Sequence, residues 1–195
     1  LGANASASAS RLTSDGTGPR DGYEGLNGQL HLEIPAGPGR FRLSGLGTRG
    51  EKDLPYDFLF DFSDPTLSPF GSFKQVLDPN NREEDRMLAA SAAYDWRLSG
   101  RTFLEWELSD FSGRIENENS ANGGLATDYQ KTRLENRRGI AAVRARFTPL
   151  EDVQAMFGGE YREDNVVRDD DSNYGGYGDT THIDEGVHSR SLYAE

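Results

Sequence analysis

Residues 26–34 read Leu-Asn-Gly-Gln-Leu-His-Leu-Glu-Ile, and this stretch decides the fold. Apolar residues or glycine occupy every second position from Leu26 to Ile34, and polar residues occupy the positions between them. Successive side chains of a β-strand point to opposite faces, so an alternation with a period of two gives one apolar face and one polar face. The stretch therefore predicts a strand whose two faces meet different environments.

The same alternation recurs along most of the chain. It is found in residues 1–12, 40–45, 88–96, 104–109, 138–147, 153–162 and, incompletely, 187–195. The 3.6-residue period of an amphipathic helix is not seen over a convincing length. The sequence predicts an all-β fold, an antiparallel meander of about eight strands.

The composition favours a thin sheet over a thick globular core. Hydrophobic residues make up 34% of the 195 residues, while glycine is frequent at 23 and aromatic residues reach 10%. A disordered chain would have few aromatic residues, and here they fall at regular places. We therefore expect apolar side chains that serve only one face of a single layer.

Charge and cysteine content exclude several classes of protein. The 21 Lys and Arg residues against 33 Asp and Glu residues give a net charge of −12, whereas nucleic-acid binding requires clustered cations. The absence of cysteine excludes a disulfide scaffold and a thiolate metal site. His188 and Ser189 are a tempting base and nucleophile, but neighbours on a strand point to opposite faces. We expect no enzyme activity, no catalytic residues and no nucleic-acid partner.

Short and long connections alternate between the predicted strands. The short turns are residues 35–39, 97–100 and 148–152, and the long polar loops are residues 14–24, 50–85, 116–131 and 165–186. A soluble β-sandwich does not require this alternation of short and long connections. Outer-membrane barrels have it, because their periplasmic turns are short and their extracellular loops are long.

The residues at the strand ends and on the polar faces agree with a membrane barrel. Phe41, Trp96 and Phe147 lie on the apolar face beside short turns, where an interfacial aromatic girdle is expected. The polar faces carry many charges, which suits a wet lumen. Glu33 can pair with Arg40 or with Arg42 across the first short turn, depending on register.

Two series of segments resemble the barrel of TonB-dependent outer-membrane receptors, in the style of the cobalamin and siderophore branch. The first is Gly28-Gln29-Leu30-His31-Leu32, then Phe41-Arg42-Leu43-Ser44-Gly45, then Asp53-Leu54-Pro55-Tyr56-Asp57. The second runs from Thr132-Arg133-Leu134-Glu135-Asn136-Arg137-Arg138-Gly139-Ile140 through Phe147-Thr148-Pro149 to Phe157-Gly158-Gly159-Glu160-Tyr161-Arg162. The resemblance covers essentially the whole chain, but it lies in the pattern of a barrel and carries no catalytic signature.

The resemblance implies an energised importer in the outer membrane of a Gram-negative cell. Such receptors close about 22 strands around an N-terminal plug domain. It implies four partners: the lipid bilayer, the plug domain, an inner-membrane energy-transducing complex and a scarce ligand such as a siderophore-iron chelate or cobalamin. The chain begins at Leu1 without Met and ends at Glu195 inside a predicted strand. We therefore expect residues 1–195 to be a partial barrel domain, with the plug and the remaining strands outside it.

The long loop over residues 50–85 is the candidate ligand-binding region. Four aromatic residues in it are candidates to line a ligand vestibule, namely Tyr56, Phe58, Phe60 and Phe62. The competing interpretation is that these rings pack the loop upon itself as a small satellite core.

The acidic loop over residues 165–186 is a candidate Ca²⁺ site. Asp169, Asp171 and Asp179 are the proposed ligands, because carboxylates beside glycine carbonyls can supply the oxygen shell that Ca²⁺ takes. The spacing matches no EF-hand, and the competing interpretation is a solvated extracellular loop with no metal.

Two other classes of function remain open from the sequence. One is a self-contained small outer-membrane barrel with a structural or adhesive role. The other is a soluble β-sandwich that binds carbohydrate by stacking Trp and Tyr rings on sugars. Trp96 and Trp106 fall on the apolar face, which argues against the sandwich.

Overall fold

A computed structural model describes residues 2–16, 18, 21–54, 56–61, 72–77, 80–120, 128–150, 153–174 and 177–194. These residues form ten β-strands: β1 (Asn4–Ser14), β2 (Tyr23–Ala36), β3 (Gly39–Asp53), β4 (Tyr56–Asp61), β5 (Ser72–Leu77), β6 (Asn81–Arg97), β7 (Thr102–Asn119), β8 (Asp128–Leu150), β9 (Val153–Tyr174) and β10 (Tyr177–Ala194). In the described part of the chain, no helix is long and apolar enough to cross a membrane.

Eight of the strands form one open antiparallel sheet in the order β1-β2-β3-β6-β7-β8-β9-β10. Each strand pairs with the next one along the sheet, and the hairpin of β4 and β5 is inserted between β3 and β6 as a separate two-stranded sheet. The prediction of an all-β antiparallel meander of about eight strands is confirmed for this sheet. The inserted hairpin lies inside a segment that was expected to be a loop.

The short turns are where the sequence places them. Ala36 pairs with Gly39, so residues 37 and 38 form a two-residue turn, and Gly37 has a φ of 59°. A two-residue hairpin turn requires a positive φ at its first position, which glycine adopts without the steric cost of a Cβ atom. At the next short turn, the amide of Leu98 donates to the carbonyl of Thr102 at 3.0 Å.

The strands extend further than the hydrophobic pattern predicts. Residues 165–174 belong to β9 and residues 177–186 belong to β10, so the prediction of a loop over 165–186 was wrong. Likewise, β7 continues to Asn119 and β8 begins at Asp128, inside the predicted loop over 116–131. The reason is that both faces are largely polar in these extensions, so the backbone ladder forms without the apolar alternation that identifies a strand.

The sheet has almost no interior. Within the described ranges, Ala142 is the one hydrophobic residue that is buried, with 7% of its surface exposed. Large side chains such as Leu30, Trp106 and Leu108 are half exposed or more. The described structure is therefore a single layer with two accessible faces, and those faces determine what the protein can do.

Candidate functional site

One face of the sheet is apolar across seven neighbouring strands. Directly paired residues of an antiparallel sheet lie on the same face, so the register identifies rows of side chains that share a face. One such row consists of Ile34, Phe41, Tyr94, Trp106, Val143, Gly159 and Leu192, from β2 to β10. The register thus confirms that the alternating segments present their apolar residues on the same side. We call this side the apolar face.

The apolar side chains form a band with little polar interruption and little cover. Trp106 is 53% exposed, Leu108 is 63% exposed, and Leu192 at the sheet edge is 91% exposed. Soluble monomers rarely expose contiguous apolar patches larger than a few hundred Å², and larger patches mark protein or membrane contacts. This apolar band is therefore the first functional feature of the molecule.

The apolar band does not run parallel to the rows of paired residues. On β2 the band extends from Leu26 to Ala36, and beyond Leu26 the next residue on this face is Glu24. On β10 the band begins only at Leu192, which lies in the row of Ile34, and the next residue on this face is Arg190. The long-connection edge of the band thus shifts by 34 − 26 = 8 residues over six strand-to-strand steps.

The opposite edge of the band is inclined in the same direction. On β2 it ends at Ala36, but on β8 it continues from Ala145, in the same row, to Phe147. This is a shift of 147 − 145 = 2 residues over four strand-to-strand steps. With a rise of ~3.4 Å per residue and a strand spacing of ~4.8 Å, a shift of about 0.5–1.3 residues per strand inclines the strands by about 20–43° to the band normal. The inclination of the long-connection edge falls in the range of strand tilt in β-barrels.

Aromatic residues mark the short-turn edge of the apolar face. Phe41 and Tyr94 pack with ring centroids 4.5 Å apart, and the Tyr94 hydroxyl donates to the carbonyl of Ala36 at 2.9 Å. Trp96 is in the row of Gly39, and Phe147 pairs with Thr102 at the start of β7. The rings thus lie beside the turns at which the chain reverses direction, and the Tyr94 hydroxyl adds a polar group there.

The opposite face carries a network of charged groups. Arg42 on β3 donates to both oxygens of Asp95 at 2.8 Å and to Glu105 Oε1 at 3.2 Å. Arg144 on β8 donates to the same Glu105 oxygen at 3.3 Å and to Glu107 at 2.8 Å. The network reaches β10, because Arg144 also donates to the Tyr193 hydroxyl at 3.1 Å. We call this side the polar face.

The structure also decides between the two predicted partners of Glu33. Glu33 is directly opposite Arg42 in the register, yet its carboxylate pairs with Arg40 at 3.0 Å. The reason is that Arg42 turns to Asp95 and Glu105 on the other side. Isolated exposed ion pairs contribute little stability, about 0–1 kcal/mol each. The charged side chains of the polar face are instead linked in a network, and they remain accessible to solvent.

A hollow of about 570 Å³ lies mainly against the polar face. Its walls include Gln29, His31, Phe111 and Arg138, and its floor includes Ser44 and Ser91, whose hydroxyl oxygens are 2.6 Å apart. Hydroxyl, amide, imidazole and guanidinium groups together offer donors and acceptors to a polar molecule.

The predicted vestibule residues lie on the inserted hairpin or outside the described residues. Tyr56, Phe58 and Phe60 occupy alternate positions of β4, and Phe60 pairs with Phe73 of β5. Phe62 lies outside the described residues. A ligand vestibule formed by these four residues therefore stays a prediction.

The predicted Ca²⁺ ligands do not form one site. Asp169 and Asp171 are on β9, where Asp171 pairs with Thr180, while Asp179 of β10 pairs with Ser172 and so lies on the other face. The Asp169 carboxylate contacts His182 Nδ1 at 2.5 Å, and Asp171 accepts a hydrogen bond from the Tyr129 hydroxyl at 2.5 Å. The residues that the structure describes contain no group of three or more His, Asp or Glu side chains able to hold a metal ion. The structure does not bring these three residues together, because the segment is a strand pair instead of a folded loop, and Ca²⁺ binding by this segment stays a prediction.

The charged extensions of the strands were missed by the sequence analysis. On the side of the apolar face they carry opposite charges two residues apart, such as Arg49 with Glu51 and Arg114 with Glu116. Burial raises the pKa of Glu84, but hydrogen bonds from Arg86 and Arg49 and the fields of both arginines outweigh it, so the pKa lies below its ordinary value. The hydrogen bond to Asp171 raises the pKa of Tyr129. Oppositely charged residues at a spacing of two were the available signal, because that spacing puts them on one face of a strand.

Comparisons with known proteins give no assignment. No protein-family model matches the chain, and a search of curated proteins finds no significant match.

Proposed function

We propose that these strands form part of the wall of a transmembrane β-barrel in the outer membrane of a Gram-negative cell. In this proposal the apolar face meets lipid and the polar face meets the water-filled or plugged interior. In this proposal the chain catalyses no reaction. Its role is to form the wall of a pathway across the membrane and to carry the loops at the outer end of that pathway.

The inclined apolar band is the observation that carries the proposal. From Leu26 to Ile34, the last large apolar residue of this face on β2, the band is ~27 Å long along the strand, which at a tilt of about 40° is ~21 Å along the membrane normal. Outer-membrane barrels have an outward apolar band of ~25 Å between girdles of aromatic residues. A sheet covered by a second protein layer needs an apolar face, but it does not need both edges of that face to be inclined to the strands in the same direction.

We further propose that the barrel is that of a TonB-dependent receptor, which imports a scarce ligand such as a siderophore-iron chelate or cobalamin. The resemblance of the segments supports this, and so does the length of the strands. β8 has 23 residues and β9 has 22, far more than the roughly 9–11 that cross the membrane. Such extensions raise the long connections away from the bilayer, as capture of a ligand outside the cell requires. The partners in this proposal are the plug domain and the inner-membrane energy-transducing complex.

Quenching of tryptophan fluorescence by brominated lipid tests the membrane part of the proposal. The chain has two Trp residues, so Trp96→Phe leaves Trp106 and Trp106→Phe leaves Trp96. In vesicles, Trp106 in the middle of the band is expected to be quenched most by bromines deep in the acyl chain. Trp96, beside a short turn, is expected to be quenched most by bromines near the headgroup. Absence of quenching at Trp106 would contradict a lipid-facing band and favour a soluble sandwich.

Uptake by intact cells tests the receptor part separately. Cells that produce the full-length protein are expected to accumulate radiolabelled cobalamin or ferric siderophore, and collapse of the proton gradient is expected to abolish the accumulation. A protein that inserts in membranes but supports no energised uptake of either class of ligand would favour a barrel with a structural or adhesive role.

A further inference from the structure

Arginine side chains border the apolar band on the side of the long connections. On five of the eight strands of the large sheet, the first charged residue beyond the band on the apolar face is an arginine. These residues are Arg11, Arg49, Arg86, Arg137 and Arg190, and we call them the rim arginines. The short-turn edge is different, because Phe41, Trp96 and Phe147 stand there instead.

Arg49 and Arg86 form the densest part of the rim. They are directly paired on β3 and β6, and like charges opposite one another destabilise a sheet. Both guanidinium groups donate to the same oxygen of Glu84, Arg49 at 2.9 Å and Arg86 at 2.6 Å. One carboxylate oxygen thus serves two cations at this position.

The arginines in this part of the rim share their carboxylate partners. Glu51 pairs with Arg49 at 2.7 Å and also pairs with Arg82. Arg49, Arg82 and Arg86 therefore share Glu51 and Glu84, while Asp53 and Glu118 lie directly opposite Arg82 on the same face. Each guanidinium has five N–H donors, and the carboxylates occupy only part of them.

On β3 and β6, the first arginine beyond the band lies nearer to the band than the glutamate beyond it. Glu51 lies two residues beyond Arg49, and Glu84 lies two residues beyond Arg86, in both cases further from the apolar band. On β3 and β6 the cation is thus nearest to the hydrocarbon edge, and the anion is one row further away. On β2, β7 and β9 the first charged residue is a carboxylate, and two of these carboxylates pair with rim arginines, Glu24 with Arg11 at 3.0 Å and Asp110 with Arg137 at 3.2 Å. If a bilayer covers the band, the headgroup phosphates lie at the depth of the arginines, whose long stems can pack along the apolar surface.

We propose that the Arg49–Arg86 pair, together with the other rim arginines, binds the phosphate groups of lipid headgroups in the leaflet nearest the long connections. The proposal rests on the membrane-barrel function given above and adds a ligand class to it. Guanidinium groups bind phosphate oxygens in a bidentate manner and keep their charge at any accessible pH. A phosphate would accept hydrogen bonds from the guanidinium donors that Glu51 and Glu84 leave open and would fix the height of the barrel in the bilayer.

Lipid retention by the full-length protein tests the proposal. The protein is placed in nanodiscs of phosphatidylcholine that contain either bisphosphorylated lipid A or lipid A stripped of phosphate, and retained lipid is counted by native mass spectrometry after extraction. We expect the unaltered protein to prefer the bisphosphorylated form by about tenfold, as charge-assisted contacts to phosphate allow. The double variant Arg49→Gln/Arg86→Gln should lose most of this preference.

Arg40→Gln is the matched control. The side chain of Arg40 is 48% exposed, much like that of Arg49 at 49%, and it pairs with Glu33 at 3.0 Å. It lies on the polar face beside a short turn. We expect this variant to keep the full preference for phosphorylated lipid A.

The outcomes separate the lipid site from the function on which it rests. Equal retention of both forms of lipid A by the unaltered protein would overturn the phosphate site, as would unchanged preference in the double variant or an equal loss in Arg40→Gln. In these cases the protein is still recovered in the discs, and the membrane function stands. Failure of the unaltered protein to enter the discs would overturn both proposals.

Discussion

Ile34 and Leu192 lie in one row of paired residues, yet on β2 the apolar band continues from Ile34 towards the long connections as far as Leu26, whereas on β10 it stops at Leu192. The band therefore crosses the sheet obliquely. An oblique band of this kind matches an apolar layer with flat boundaries through which the strands run at an angle. A lipid bilayer around tilted strands is such a layer. The consequence is that the depth of a residue depends on its strand as well as on its position in a row.

The two faces should respond differently to a buried charge. Leu30→Arg is expected to destabilise the protein in lipid by roughly 2–4 kcal/mol, because it places a guanidinium near the middle of the band. Gln29→Arg, one residue away on the polar face, is the control and should change stability little. Urea unfolding from vesicles measures both, and equal losses would contradict the assignment of the faces.

Glu84 should make stability depend on pH in the acid range. Its pKa in the folded protein is below the ordinary value of 4.5, because its bonds to Arg86 and Arg49 outweigh its burial. The stabilisation is therefore complete above that ordinary value and is lost as the pH falls through the folded-state pKa. Glu84→Gln is expected to unfold more easily than the unaltered protein at neutral pH, and the difference should vanish at low pH. A difference that does not change with pH would contradict this account of the pKa.

Gly37 should be sensitive to substitution although nothing crowds it. A Cβ atom there would meet no heavy atom within 4 Å, but the φ of 59° is unfavourable for other residues. Gly37→Ala is expected to cost about 1–2 kcal/mol of stability in unfolding experiments. Gly100→Ala is the control in another short turn, where a Cβ is equally free and the φ is not in the left-handed region. A similar cost at both positions would show that the conformation of Gly37 is not the cause.

The parts of the strands that carry the apolar band were predictable because their two faces differ. In Leu26–Ile34 the contrast between leucine and polar residues is strong, so both the strand and its faces follow from the sequence. The extension of β9 through Asp169 to Tyr174 was not predictable in this way, because the side chains on both of its faces are largely polar. It is held by ladder hydrogen bonds and by side-chain hydrogen bonds to neighbouring strands, such as the one between Asp169 and His182.

The site predictions were limited for the same reason, because the sequence pattern does not reveal how polar strands pair. Asp169, Asp171 and Asp179 were grouped by their distance along a presumed loop, but a strand pair sends Asp179 to the face opposite the other two. The rim arginines were visible as residues, but their common border appears only when the register aligns Arg49 with Arg86. Composition gives the kinds of groups that are present, and the register decides which of them meet.

Labelling of single cysteines tests the central claim most directly. The chain has no cysteine, so Ala141→Cys, Val143→Cys, Arg144→Cys and Arg146→Cys each introduce one thiol on β8 without background. In vesicles, positions 141 and 143 on the apolar face are expected to resist a water-soluble maleimide and to react with a lipid-soluble one. Positions 144 and 146 on the polar face are expected to react with the water-soluble reagent. Equal labelling of all four thiols by the water-soluble reagent would contradict a wall between lipid and water.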